Sequence, residues 1–137
     1  MRKLLFTLLT ILLVSSSLSC TQDVSPKQTD IVIEVTAWDL YAAYQENEIA
    51  ADAQYDGKVL KVTGVVDDIG KDIMDTPYIV LTDGRLFALG GVQCFFNEQH
   101  EPELALLKKG EIVTVMGECT GYLFNVSVED CILVSQN

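Results

Sequence analysis

The stretch Val59-Leu60-Lys61-Val62-Thr63-Gly64-Val65-Val66 decides how the chain folds. It is rich in β-branched residues and partly alternates, which is the pattern of a half-buried strand, and Gly64 in its middle marks a place where the strand coils. Downstream, Pro77-Tyr78-Ile79-Val80-Leu81-Thr82 reads as a second strand, closed by the turn signal Asp83-Gly84. A third strand is predicted over about Leu86–Phe96, with Gly90-Gly91 as a bulge or sharp bend. A short helical segment follows, with Pro102 at a first-turn position, Glu103 beside it, and Lys108-Lys109-Gly110 as a favourable ending. Ile112–Cys119 and Val126–Val134 supply two last strands. Upstream, Thr36 and Asp39 form a capping arrangement, and Ala37, Leu40, Tyr41, Tyr44 and Ala51 recur at helical spacing, predicting one helix to about Ala53 that Gly57 ends.

The order is helix, three strands, short helix, two strands. A five-stranded Greek-key OB barrel, mainly β, with an N-terminal helix and a short helix between strands 3 and 4, has this order, and closing the barrel removes the exposed edges that so apolar a sheet would otherwise carry. The chain also resembles a known family. Leu40, Tyr44, Asn47-Glu48, Ala50-Ala51-Asp52, Tyr55, Gly57-Lys58 and Val62-Thr63-Gly64-Val65 carry the resemblance, continued by Val92, Cys94, Phe96, Gly110, Val113, Gly117, Cys119 and Asp130-Cys131. These residues are similar to those of the tRNA-anticodon-binding-like (tRNA_anti-like) OB-fold lipoproteins of bacteria, over nearly all of the chain beyond its N-terminal segment. The resemblance implies an OB fold and an envelope address, and it brings no activity with it.

The N-terminus has the form of an export signal. Met1-Arg2-Lys3 precedes an apolar stretch, Leu4–Val14, and then Ser15-Ser16-Ser17-Leu18-Ser19-Cys20. Eleven helical residues cover roughly 16 Å, about half of a hydrocarbon core, so the stretch is too short for a permanent span. Cleavage before Cys20 fits a lipoprotein signal, although Ser17 stands where a lipobox usually has Leu. It fits ordinary signal peptidase as well, through Ser17 and Ser19. The expected organisation is therefore a lipoprotein-type signal peptide over residues 1–19, a tether over 20–33, and the OB domain over 34–137, with Cys20 lipidated and the membrane reached through that lipid.

Lipidation of Cys20 leaves Cys94, Cys119 and Cys131 in the domain, and an exported protein is expected to oxidise at least one pair. The last two strands neighbour each other in an OB barrel, which predicts a Cys119–Cys131 disulfide with Cys94 as a buried thiol; Cys94–Cys131 is the alternative. A bridge across about a dozen residues would contribute roughly 2–3 kcal/mol.

The 137-residue chain holds 9 Lys+Arg against 20 Asp+Glu, and is 49% hydrophobic with a mean hydropathy of +0.26, to which the signal segment contributes much. Without residues 1–19, seven basic side chains face twenty acidic ones, a net charge of −13. That charge opposes binding to a phosphate backbone, so nucleic acid is not the expected partner. Metal-ligand spacing is absent, and the single His100 lies in a polar stretch, so neither a metal, a cofactor nor catalysis is expected. Asp67, Asp68, Asp72 and Asp75 read as a flexible acidic loop. OB folds bind across strands 2 and 3 and the flanking loops, which makes Tyr78, Arg85, Phe95, Tyr122 and Phe124 the candidate binding face. The expected function is a monomeric, lipid-anchored envelope module that binds a protein, peptide or glycan. An oligonucleotide-binding domain and an envelope assembly or structural factor are the alternatives.

Overall fold

The computed structural model describes residues 31–86 and 88–136. The expected signal peptide, Cys20 and most of the expected tether lie outside the described residues. A strand β1 (Ile33–Thr36) leads directly into helix α1 (Ala37–Glu46) and helix α2 (Glu48–Tyr55). Strands β2 (Val59–Lys71), β3 (Pro77–Thr82) and β4 (Val92–Phe96) follow, then a 3-10 turn over Glu98–His100 and the single-turn helix α3 (Glu101–Leu104), and finally β5 (Ile112–Tyr122) and β6 (Val126–Gln136).

The long β2 explains the closure. Its first half pairs antiparallel with β5, from Val59↔Glu118 to Val65↔Ile112, and its second half pairs with β3, from Val65↔Thr82 to Lys71↔Pro77. The register slips between Val66 and Asp68, which bends the strand so that one chain segment serves both walls. β3 pairs with β4, β4 runs parallel to β6, and β6 returns antiparallel to β5, completing a five-stranded barrel. β1 adds a sixth strand, parallel to β2, through Ile33↔Leu60 to Thr36↔Thr63. Ile33, the last residue of the expected tether, is the first residue of this strand.

The helix predicted as continuous is two helices. Thr36 caps α1 as expected, its Oγ1 accepting from the Asp39 amide at 3.1 Å and donating to Asp39 Oδ2 at 2.7 Å. Asn47 then takes an extended conformation (φ −159°) and starts α2 by accepting from the Ala50 amide through its side chain at 3.1 Å. The break turns Ala51 and Tyr55 inward alongside Ala37, Leu40 and Tyr44, all buried against the barrel. Gly57 at φ +68° ends α2, and its amide donates to the Cys119 carbonyl at 2.8 Å, tying the helices to β5.

Two further expectations change. The third strand starts at Val92 rather than about Leu86, because a Cβ on Gly91 would stand 2.2 Å from the Leu81 carbonyl oxygen and one on Gly90 would enter the Tyr41 ring. These glycines seat the β3–β4 loop against the body of the domain instead of bulging a strand. The acidic run is likewise not a flexible loop: Asp67 and Asp68 belong to β2, and Asp72 Oδ1 accepts from the Met74 and Thr76 amides at 2.8 and 2.9 Å, fixing the β2–β3 turn.

Cys94, Cys119 and Cys131 are buried in this structure as unbonded thiols. Register shifts around Met116–Gly121 set Cys119 opposite Val128, while Cys131 lies opposite Phe96 on the other side of β6. Cys119 Sγ accordingly meets the Tyr44 hydroxyl at 3.5 Å, and Cys131 Sγ donates to the Val128 carbonyl at 3.4 Å.

Candidate ligand-binding face

Strand alternation builds the outer face of the β3–β4 hairpin. Ile79 and Leu81 point into the barrel, as do Val92, Cys94 and Phe96, so Tyr78 and Phe95 are left on the outside. They are direct cross-strand partners with ring centroids 6.1 Å apart at 62°, an edge-to-face pair. The Tyr78 ring also lies over Gly70, where an added Cβ would come within 3.0 Å of its hydroxyl.

Charge around this pair is mostly negative and already organised. The Tyr78 hydroxyl donates to Asp68 Oδ2 at 3.2 Å, and Lys109 Nζ donates to Asp68 Oδ1 at 2.8 Å. The Lys109 hydrogen bond holds the Asp68 carboxyl below the usual carboxylate range, and burial together with the Asp68 charge pushes the Tyr78 phenol up. Lys71 lies between Glu101 at 2.7 Å and Asp75 at 3.4 Å. Beside Phe95, a cavity of about 250 Å³ is lined by Asp72, Thr76, Phe96, Asn97, Glu129 and Asp130. Lys71 and Lys109 are thus engaged by carboxylates, while Glu129 and Asp130 form no ion pair among the described residues.

The five candidate residues do not share one face. Tyr78 and Phe95 meet; Arg85, beyond the other end of β3, lies over the Trp38 ring at 5.2 Å and within 2.9 Å of Asp83 Oδ2. Tyr122 turns under α1, stacking on Tyr44 at 5.6 Å and 23° and tilting against Tyr41 at 6.3 Å. Its hydroxyl there accepts from Gln45 Nε2. Phe124, in the β5–β6 loop, is 80% exposed. Sequence reasoning missed Trp38, the one tryptophan of the chain, which stands half-exposed on α1 between inward-facing Ala37 and Leu40. Its position in that helical pattern was the available signal.

Burial pushes the Cys94 and Cys119 thiols up, away from the thiolate form that a nucleophile needs. His100 pairs its Nδ1 with Glu103 and packs its ring edge-on to Phe96 at 6.1 Å. Among the described residues no group of three or more His, Cys, Asp or Glu side chains could hold a metal ion, and no helix is long and apolar enough to cross a membrane.

A closed five-stranded barrel with a helix between its third and fourth strands is an OB fold. The chain belongs to the tRNA_anti-like family, whose model matches residues 1–133. Among solved structures it is similar to a Klebsiella pneumoniae lipoprotein described as nucleic acid-binding, at 20% identity and a TM-score of 0.60, over 74% of this chain and 92% of that one. It also matches an Entamoeba histolytica asparaginyl-tRNA synthetase at 19% identity and a TM-score of 0.48, over 78% of this chain and 24% of that one. No curated protein sequence matches the chain.

Proposed function

We propose that the protein is an envelope lipoprotein, held to the membrane through a lipid on Cys20, whose barrel binds a protein partner through the Tyr78–Phe95 face without chemical turnover. The address is supported by the signal-like N-terminus and by the likeness to a Klebsiella lipoprotein. The observation that carries the binding reading is the aromatic pair set among carboxylates. Its Lys71 and Lys109 already serve Asp68, Asp75 and Glu101, so a phosphate chain approaching this face meets carboxylates and lysines that are already paired with them. A partner that brings its own positive charge and an apolar anchor meets complementary groups instead.

Replacing Phe95 by a photoreactive phenylalanine analogue in the full-length protein, in cells, tests this reading. The expected adduct is sensitive to protease and resistant to nuclease. A nuclease-sensitive adduct would support the second reading, an oligonucleotide-binding barrel, which the description of the Klebsiella protein favours. An adduct lost on replacing Cys20 by Ser would tie the partner to the envelope.

A further inference from the structure

At the far end of the β3–β4 hairpin from Tyr78 lies a cavity of about 300 Å³ between α1 and the β3–β4 loop, bordered by Trp38, Tyr41, Gln45, Asp83, Arg85 and Gly90. The Tyr41 ring forms its wall, lying so close to Gly90 that any side chain there would displace it. Asp83 enters at the start of the loop. Its Oδ1 accepts from the Arg85 amide at 3.0 Å, and Gly84 at φ +79° lets the chain turn tightly enough for that bond. Its Oδ2 is buried and, among the described residues, accepts no hydrogen bond. Arg85 Nε stands 2.9 Å from that oxygen, an ion pair without a hydrogen bond. The same guanidinium lies over the Trp38 ring at 5.2 Å, while the Arg85 side chain remains 76% exposed.

An aromatic face and an under-satisfied carboxylate on one cavity are the two elements that recognise an organic cation. Here a cation from the chain's own loop rests on both, meeting the charge of Asp83 without its hydrogen bond. We propose that this cavity is a receptor for an arginine or lysine side chain of a protein partner, and that Arg85 is an internal occupant which the incoming side chain displaces. The described residues carry eighteen Asp+Glu against six Lys+Arg, so the domain's long-range field draws such a partner in. Exposed Leu86 and Leu89 on the same loop give apolar residues flanking the cation a surface to cover. The site is separate from the Tyr78–Phe95 face and stands whether or not that face binds anything.

Trp38, as the sole tryptophan, reports occupancy by its fluorescence. The probe is the peptide acetyl-Leu-Arg-Leu-amide, with its neutral citrulline counterpart as control. The arginine peptide is expected to change Trp38 emission saturably and the citrulline peptide not to. Arg85→Ala is expected to tighten binding several-fold by removing the competing cation, and Asp83→Asn to weaken it at least tenfold with circular dichroism unchanged. The double variant Tyr78→Ala/Phe95→Ala is expected to bind as the unaltered protein does. Equal responses to both peptides, loss of binding in Arg85→Ala, or loss in the Tyr78/Phe95 variant would each overturn the proposal. If Asp83→Asn fails to fold, the citrulline comparison and Arg85→Ala decide it alone.

Discussion

Gly64→Ala probes the contact on which the arrangement of α1 over the barrel depends. A methyl group in mid-strand would ordinarily stabilise the protein by about 0.5–1 kcal/mol, through lower unfolded-state entropy. Here the new Cβ would lie 2.8 Å from Ala37 Cβ, 3.0 Å from Leu81 Cβ and 3.1 Å from the Thr82 carbonyl oxygen. None of these is the free end of a long side chain, so relief requires α1 and β3 to move apart, as in an overpacked core costing about 1–3 kcal/mol. The overlap outweighs the entropic gain. Urea denaturation followed by circular dichroism is expected to show a destabilisation of about 1–2 kcal/mol, or on the order of 5–15 °C in Tm. Introducing Ala37→Gly removes the closest of the three contacts, so Gly64→Ala is expected to cost less in that background by more than about 0.5 kcal/mol. A neutral or stabilising Gly64→Ala would refute the close seating of α1 on β2. Equal costs in the two backgrounds would refute Ala37 as the point of contact.

Thr36→Ala removes the hydroxyl that caps α1 and is expected to cost about 1 kcal/mol, read as a lower urea midpoint with unchanged m-value. Asp68 has a folded-state pKa below its unfolded value, so its stabilising contribution is complete above the ordinary carboxylate range and disappears as pH falls through the lowered value. Asp68→Asn is accordingly expected to flatten the acid limb of a stability–pH curve, whereas an unchanged acid limb would count against the Lys109–Asp68 pairing. Leu40→Ala opens a hole where α1 meets the barrel and is expected to cost about 2–5 kcal/mol, a smaller loss indicating that the helix is peripheral. Intact mass spectrometry of the membrane-extracted protein is expected to give residues 20–137 plus acyl chains, with Cys94, Cys119 and Cys131 all alkylatable after unfolding; an unlipidated mass would remove the anchor from the account.

The barrel was legible because its strands are long and its turn chemistry is local. Val59–Val66 announces β2, Asp83-Gly84 announces the end of β3, and Thr36 with Asp39 announces α1, each through interactions spanning a few residues. What was hidden depends on distant partners. The Asn47 break is a helix cap that also reads as helix interior until Ala51 and Tyr55 must both face the barrel. Gly90-Gly91 reads as a bulge until Tyr41 and the Leu81 carbonyl are known to lie against it. The placing of Cys119 opposite Val128 was hidden for the same reason, since the bulges on β5 and β6 set a register that composition cannot supply. At the candidate site, Tyr78 and Phe95 were recoverable from alternation and the OB topology. The joining of Trp38 to Arg85 and Asp83 was not, because a helix and a loop separated by more than forty residues meet only in three dimensions.

The central claim is that the acidic Tyr78–Phe95 face serves a protein rather than a nucleic acid. Fluorescence anisotropy of a labelled single-stranded oligonucleotide, titrated with the protein in low and in physiological salt, tests it most directly. The account predicts no saturable binding at micromolar protein in either salt, because Lys71 and Lys109 are already paired with carboxylates. Saturable binding that weakens steeply with salt and is lost in Tyr78→Ala/Phe95→Ala would contradict it and assign the face to nucleic acid.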